Sequence, residues 1–294
     1  MSAPSLSKVI SFFHGVACVS YAVAAFAAED PQVWSGVAEV GAFHATQSAG
    51  PDGDLAVDES LLEVRGYWQP RRGIRLGLGV GGALNRYDGE PIDTRAKSVW
   101  LRIPATVMWS EHWGFTSLSS IGNSTADHVP FANGHRWQLQ TGLLWVRDSD
   151  LLVSLSTVVN SRINRGPSVI PLVSLYWRID DAWSLTVIDE IDNISRLTRT
   201  FTSTCSGSFL VDVRFYEFAL ADGARGPTVL DDDRAIVGLE GAWSPWGGEQ
   251  LAVRPFAGMA VMRHITLRNS DGDQVSSSWQ SPAIVAGISL RSTF

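Results

Sequence analysis

Along most of the chain, apolar and polar residues alternate one by one. The segment "SVWLRIPATVMW" puts Val99, Leu101, Ile103, Ala105, Val107 and Trp109 on one face, and Trp100, Arg102, Pro104 and Thr106 on the other. "RWQLQTGLLWV" aligns Trp137, Leu139, Thr141, Leu143 and Trp145, and "IRLGLGVGGAL" sets Ile74, Leu76, Leu78 and Val80 against Arg75, Gly77, Gly79 and Gly81. In "FLVDVRFYEF" and "AIVGLEGAW", Asp212, Arg214, Gly238 and Glu240 oppose aliphatic or aromatic residues. Successive side chains of a strand point to opposite faces, so this alternation predicts an all-β chain, and no segment keeps a helical phase.

Strands are predicted at 33–46, 60–69, 74–85, 98–109, 113–121, 136–146, 151–160, 168–179, 183–190, 208–220, 233–244, 250–267 and 276–294. Many match the roughly 9–11 residues that a tilted strand needs to cross a bilayer. The connections alternate in length. Those at 70–73, 110–112, 147–150, 180–182 and 245–249 are short, and those at 48–58, 86–97, 122–135, 161–167, 221–232 and 268–274 are long. Short periplasmic turns and longer extracellular loops are the habit of a transmembrane antiparallel up-and-down β-barrel. Such a barrel needs an even number of strands. Adding "NISRLTRTFT" (193–202) gives about 14, and assigning 208–220 to a loop gives 12 as the alternative.

The tryptophans sort by position. Trp68, Trp109, Trp113, Trp145, Trp177, Trp183, Trp243 and Trp246 flank short turns, and Trp34 opens the first strand at the same end. Trp100, Trp137 and Trp279 lie beside long loops. Indole rings favour the headgroup zone, where an apolar body and a polar N–H are both served, so two rims of tryptophan predict the aromatic girdles of a barrel.

Composition narrows the picture. The net charge of −7 and the lack of a basic cluster argue against nucleic acid as a partner. The N-terminal run after Lys8, ending in small residues at Ala25 and Ala27, reads as a signal peptide over 1–27, with 28–294 a single barrel domain. An uncleaved N-terminal anchor is the alternative. Cleavage would remove Cys18 and leave Cys205 without an intramolecular disulfide partner. The expected location is the bacterial outer membrane, with its lipids and lipopolysaccharide as partners. The alternation Ile284, Ala286, Ile288, Leu290 up to a terminal Phe294 resembles the signal read by the barrel-assembly machinery, although Ser292 stands where an apolar residue is commoner.

"PLVSLYWRIDDAWSLTV" and "DDDRAIVGLEGAWSPWGGEQLAVRPFAGMAVMR" resemble a bacterial outer-membrane barrel family known only as domain of unknown function 6268. Tyr176, Trp177, Arg178 and Trp183 carry its turn motif, and Leu239 with Glu240 its strand motif. The similarity covers the C-terminal half and departs most at 190–208. It implies a barrel and a location, not a mechanism.

Candidate chemistry is sparse. His44, His112, His128, His135 and His264 show no metal-ligand spacing, and "HATQS" and "HITLRNS" (Thr46, Thr266) match no lipid-hydrolase motif. No catalytic constellation and no cofactor are expected. "RNSDGDQ" has Asp271 and Asp273 around a glycine, but turn chemistry explains it better than calcium. The acidic stretches "GPDGDLAVDES" and "VLDDDR" read as solvated loops. The inward set says more. If the aliphatic faces meet lipid, then Glu63, Arg65, Tyr67, Arg75, Arg102, Arg136, Asp212, Arg214, Arg234, Glu240 and Arg254 face the lumen. An arginine at the midplane of a lipid face costs roughly 2–4 kcal/mol, which fixes the direction. The expected function is a passive channel or transport barrel for small polar or anionic solutes. The alternative is a structural or ligand-binding barrel plugged by charge pairs, and a lipid-modifying enzyme is less favoured. The sequence leaves the bound molecule and the oligomeric state open.

Overall fold

The computed structural model describes residues 34–293 except 51–52, 72, 90–91, 189–192, 221–227 and 246–250. The predicted signal peptide, Trp246 and Phe294 lie outside the described residues, and so does the side chain of Trp34. The strands are β1 (Trp34–Gly50), β2 (Gly53–Arg71), β3 (Ile74–Gly89), β4 (Thr94–Met108), β5 (Trp113–Ala126), β6 (His135–Val146), β7 (Leu151–Arg162) and β8 (Arg165–Arg178). They continue with β9 (Trp183–Val187), β10 (Ile194–Thr202), β11 (Cys205–Ala219), β12 (Val229–Trp243), β13 (Leu251–Arg268), β14 (Gln274–Gln280) and β15 (Ala283–Thr293). Each pairs antiparallel with the next from β1 to β13, and β15 returns to β1, from Val37↔Thr293 to Ala45↔Val285.

β14 and β15 are one stave. β14 pairs with the upper half of β13 and β15 with the lower half. The break falls at Ser281–Pro282, where proline supplies no ladder donor. The result is a closed antiparallel barrel of 14 strands. The additional strand expected at 193–202 is present as β10, between β9 and β11.

The long connections need correction. The strands run on through several of them. β1 and β2 stay paired out to Gly50↔Gly53, and β7 and β8 are joined through Ile163 and Asn164 alone, Asn164 taking a φ of 58°. The cause is an inversion of polarity. Lower in the barrel the outward residues are apolar, with Val80, Ile103, Leu143, Leu155, Leu239 and Ile288 exposed. Toward the long-loop end the outward residues become Asp58, Arg86, Asp88, Arg95 and Lys97, all exposed. There Leu55, Val57, Tyr87, Ala96, Phe218, Leu230, Ile265 and Leu267 turn inward and form a packed core. A period of two persists, but with polar residues outside it no longer resembles a lipid-facing strand.

The short turns at 110–112, 147–150 and 180–182, which lie among the described residues, behave as expected. In the β8–β9 turn, Asp180 Oδ1 accepts the backbone N–H groups of Ala182 and Trp183 at 2.8 and 2.7 Å, which keeps Asp180 and Asp181 in water below Trp177 and Trp183. At the opposite end, Asn269 accepts the N–H groups of Asp271 and Asp273 within the β13–β14 turn.

Candidate functional site

The interior is a network of arginines and carboxylates around a cavity of about 300 Å³. The alternation of β2 and β4 brings Glu63 between Arg65 and Arg102, at 3.2 and 3.0 Å. Glu240 of β12 meets Arg254 of β13 and, across β11, Arg196 of β10 at 3.5 Å. Arg254 also lies 3.8 Å from Glu39 of β1. Arg75, at the short-turn end, stacks over Tyr67 at 4.0 Å.

Toward the long-loop end the charges join opposite walls. Glu59 of β2 binds Arg214 of β11 and Arg234 of β12 and accepts the Tyr216 hydroxyl at 3.0 Å. Asp212 holds Arg214 from its own strand, and Asp232 binds Arg263 at 3.1 Å and accepts the Tyr87 hydroxyl at 3.0 Å. On the other side of the same hairpin, Glu217 accepts Arg162, Arg165 and the Ile163 N–H at 3.3, 3.2 and 3.1 Å, with Arg136 of β6 at 3.6 Å. Asp231 binds Arg165 at 2.7 Å and Arg268 at 2.9 Å. By parity Glu217 belongs to the outer face of β11, yet it is only 2 % exposed. The β11–β12 hairpin leans across the mouth, and Ala219 meets Thr125 of β5 in a parallel bridge. Ala126, Val129, Ile163, Ala219 and Val229 close a second apolar cluster beneath it.

Of the charged residues expected at the lumen, Glu63, Arg65, Arg102, Arg136, Asp212, Arg214, Arg234, Glu240 and Arg254 take part in this network, whereas Arg75 is exposed at the short-turn end. The carboxylates that pin the hairpin were missed. Asp231 and Asp232 are buried, not solvated loop residues, because "VLDDDR" is the start of β12. The alternation Asp232, Arg234, Ile236, Gly238, Glu240 already carried that signal. Glu59, in the stretch "GPDGDLAVDES" that also read as a solvated loop, is buried on β2.

Trp100 must also be moved. It lines the cavity, not an outer rim. It shares a face with Arg102, whose guanidinium lies 5.2 Å from its ring. A Cβ on Gly81 would sit 2.6 Å from that indole, and one on Gly79 would sit 2.8 Å from Arg65. These bare positions are therefore filled by neighbouring side chains. Trp68, Trp109, Trp113, Trp137, Trp177, Trp243 and Trp279 are exposed on the outer surface, while Trp145 and Trp183 are half-buried. Trp279 stacks on His264 at 4.4 Å, and His44 Nδ1 contacts Asp58 at 2.5 Å in an exposed pair.

No family model and no curated protein matches the chain. Among solved structures it is similar to the translocator domain of the autotransporter NalP from Neisseria meningitidis, at 9 % identity and a TM-score of 0.40, with 98 % of each chain covered. An outer membrane channel from Pseudomonas putida F1 is similar at 8 % identity and a TM-score of 0.45, over 89 % of this chain and 95 % of that one. A Pseudomonas aeruginosa FadL homologue is similar at 9 % identity and 0.42, over 89 % of each.

Proposed function

We propose that the protein spans the bacterial outer membrane and passes small polar or anionic solutes through its interior, with the long-loop end closed in the present conformation. The observation that carries this reading is the arginine-lined cavity inside a barrel whose outer surface is an apolar band edged by tryptophans. Exposed apolar area on this scale needs a lipid environment, since water-facing patches are rarely so large. The arginines give the interior its preference for anions. We further propose, on the Tyr176–Trp183 turn and the Leu239–Glu240 strand, membership of the unknown-function family 6268.

A second reading, a barrel permanently plugged by charge pairs, is favoured by the carboxylates that pin the β11–β12 hairpin to both walls. Planar bilayer recordings separate the two. The transport reading expects sparse anion-selective openings in the wild type and frequent ones in a Glu217→Gln, Asp231→Asn double variant, whose hairpin loses its hold on Arg162 and Arg165. Silence from both proteins, with the barrel shown intact by heat-modifiable migration, would favour the plug.

A further inference from the structure

Arg199 breaks the pattern that sends arginines inward at the lower levels of the barrel. On β10 the inward residues are Ile194, Arg196 and Thr198, so Arg199 points outward with Leu197 and Phe201. It stands opposite Trp183 of β9 on one side and Gly207 of β11 on the other, and Gly207 stands opposite Gly241 of β12. Trp183 follows directly on the 180–182 turn, so this row lies at the short-turn edge of the apolar band. An outward arginine costs little at that level, where its head reaches the polar zone while its stem stays on apolar surface.

The surroundings of Arg199 are built. Its guanidinium carbon lies 5.4 Å from the Trp183 ring and 5.5 Å from the Phe201 ring, and these aromatic faces steady the charge against the wall. The Phe201 ring reaches over Gly207, where a Cβ would sit 3.1 Å from it. A Cβ on Gly241 would meet the Pro255 ring at 3.5 Å, an ordinary contact. Two glycines in one row therefore leave a shallow depression beside the arginine. Phe209 and Leu239 stand above it and Trp243 below it, all exposed. Leu239 is 67 % exposed because Ala257 beside it and Gly241 beneath it leave it uncovered. The row above is apolar throughout: Leu185, Leu197, Phe209 and Leu239. In the turn below, Asp180 is occupied by the Ala182 and Trp183 N–H groups, and Asp181 acts on Arg178. A cation at the edge of an apolar surface, with hollow ground beside it, matches a molecule whose anionic head and hydrocarbon chain lie in that order.

We propose that this depression binds a glycerophospholipid of the periplasmic leaflet, with its phosphodiester on Arg199 and an acyl chain laid across Gly207 and Gly241 against Phe209 and Leu239. The site rests on the outer-membrane reading above and is independent of whether solutes pass through the interior.

The full-length barrel is purified in a neutral detergent, and bound phosphatidylglycerol is counted by native mass spectrometry across a lipid titration. One lipid is expected to bind ahead of the rest. Dioleoylglycerol keeps the chains and lacks the phosphate, and inorganic phosphate lacks the chains, so neither should displace it. Arg199→Gln should weaken this first binding about tenfold, the loss of one charge-assisted hydrogen bond. Gly241→Leu fills the depression, keeps the charge, and should weaken it roughly fivefold. Arg95→Gln removes an exposed arginine at the opposite end of the barrel and should change nothing. Heat-modifiable migration checks that each variant is folded. In a barrel recovered from outer membranes, first binding untouched by Arg199→Gln, or lowered as much by Arg95→Gln, would overturn the site and leave the membrane reading standing. Displacement by inorganic phosphate alone would make this a site for a free anion and overturn the lipid. Recovery as a soluble periplasmic protein would remove both the site and the membrane reading.

Discussion

Glu59 is the residue on which the interior network turns. Its carboxylate faces two arginines and a tyrosine hydroxyl from across the barrel, and it is almost fully buried. Removing one member of a buried ion network leaves the others desolvated without compensation. Glu59→Gln should therefore cost about 3 kcal/mol of stability, at the low end of such losses because Asp212 and Asp232 still hold the arginines. Urea unfolding in detergent would measure it. Asp148 offers the contrasting exposed case. The Arg147 side chain and the N–H groups of Asp150 and Leu151 hold its carboxyl below the usual carboxylate range. A folded value below the unfolded one stabilises at neutral pH, and that contribution is lost as pH falls through the folded value. Amide exchange at Asp150 and Leu151 should quicken there, and Asp148→Asn should abolish the acid dependence. At this scale the direction of each lumen charge was legible, because parity and the cost of charge in lipid leave one choice. Trp100 was misread because closeness to a loop was allowed to outweigh its parity with Arg102. The partners across the barrel were not legible, since Glu59 and Arg214 are brought together only by closure.

At the scale of elements, turns and strand ends follow local chemistry. Gly73 closes the β2–β3 turn with a φ of 85°, and a Cβ there would lie 3.2 Å from the Met108 carbonyl oxygen. Gly73→Ala should cost roughly 1–2 kcal/mol, read as a lower urea midpoint, because a left-handed conformation penalises any Cβ. The lower parts of the strands were legible from alternation, including β10, whose Ile194, Arg196 and Thr198 share a face opposite Leu197 and Arg199. The upper strand ends were not. There Asp58, Arg86 and Lys97 take the outer positions, and charge after charge was read as loop. The lean of β11–β12 left one trace in the sequence: Glu217 stands at an outward position, where lipid would not tolerate it.

At the scale of the whole molecule, two environments meet in one barrel. Below, exposed outward-facing aliphatics enclose a charged interior. Above, a polar exterior encloses an apolar core that closes the mouth. The central claim is that the lower zone sits in a membrane, and fractionation tests it most directly. The full-length protein is expressed in a Gram-negative host, outer membranes are isolated, and migration in detergent gels is compared with and without boiling. Retention in the outer membrane, with faster migration before boiling, is the predicted result for a closed barrel embedded in lipid. A protein recovered in the soluble periplasmic fraction, with one mobility under both conditions, would contradict the account.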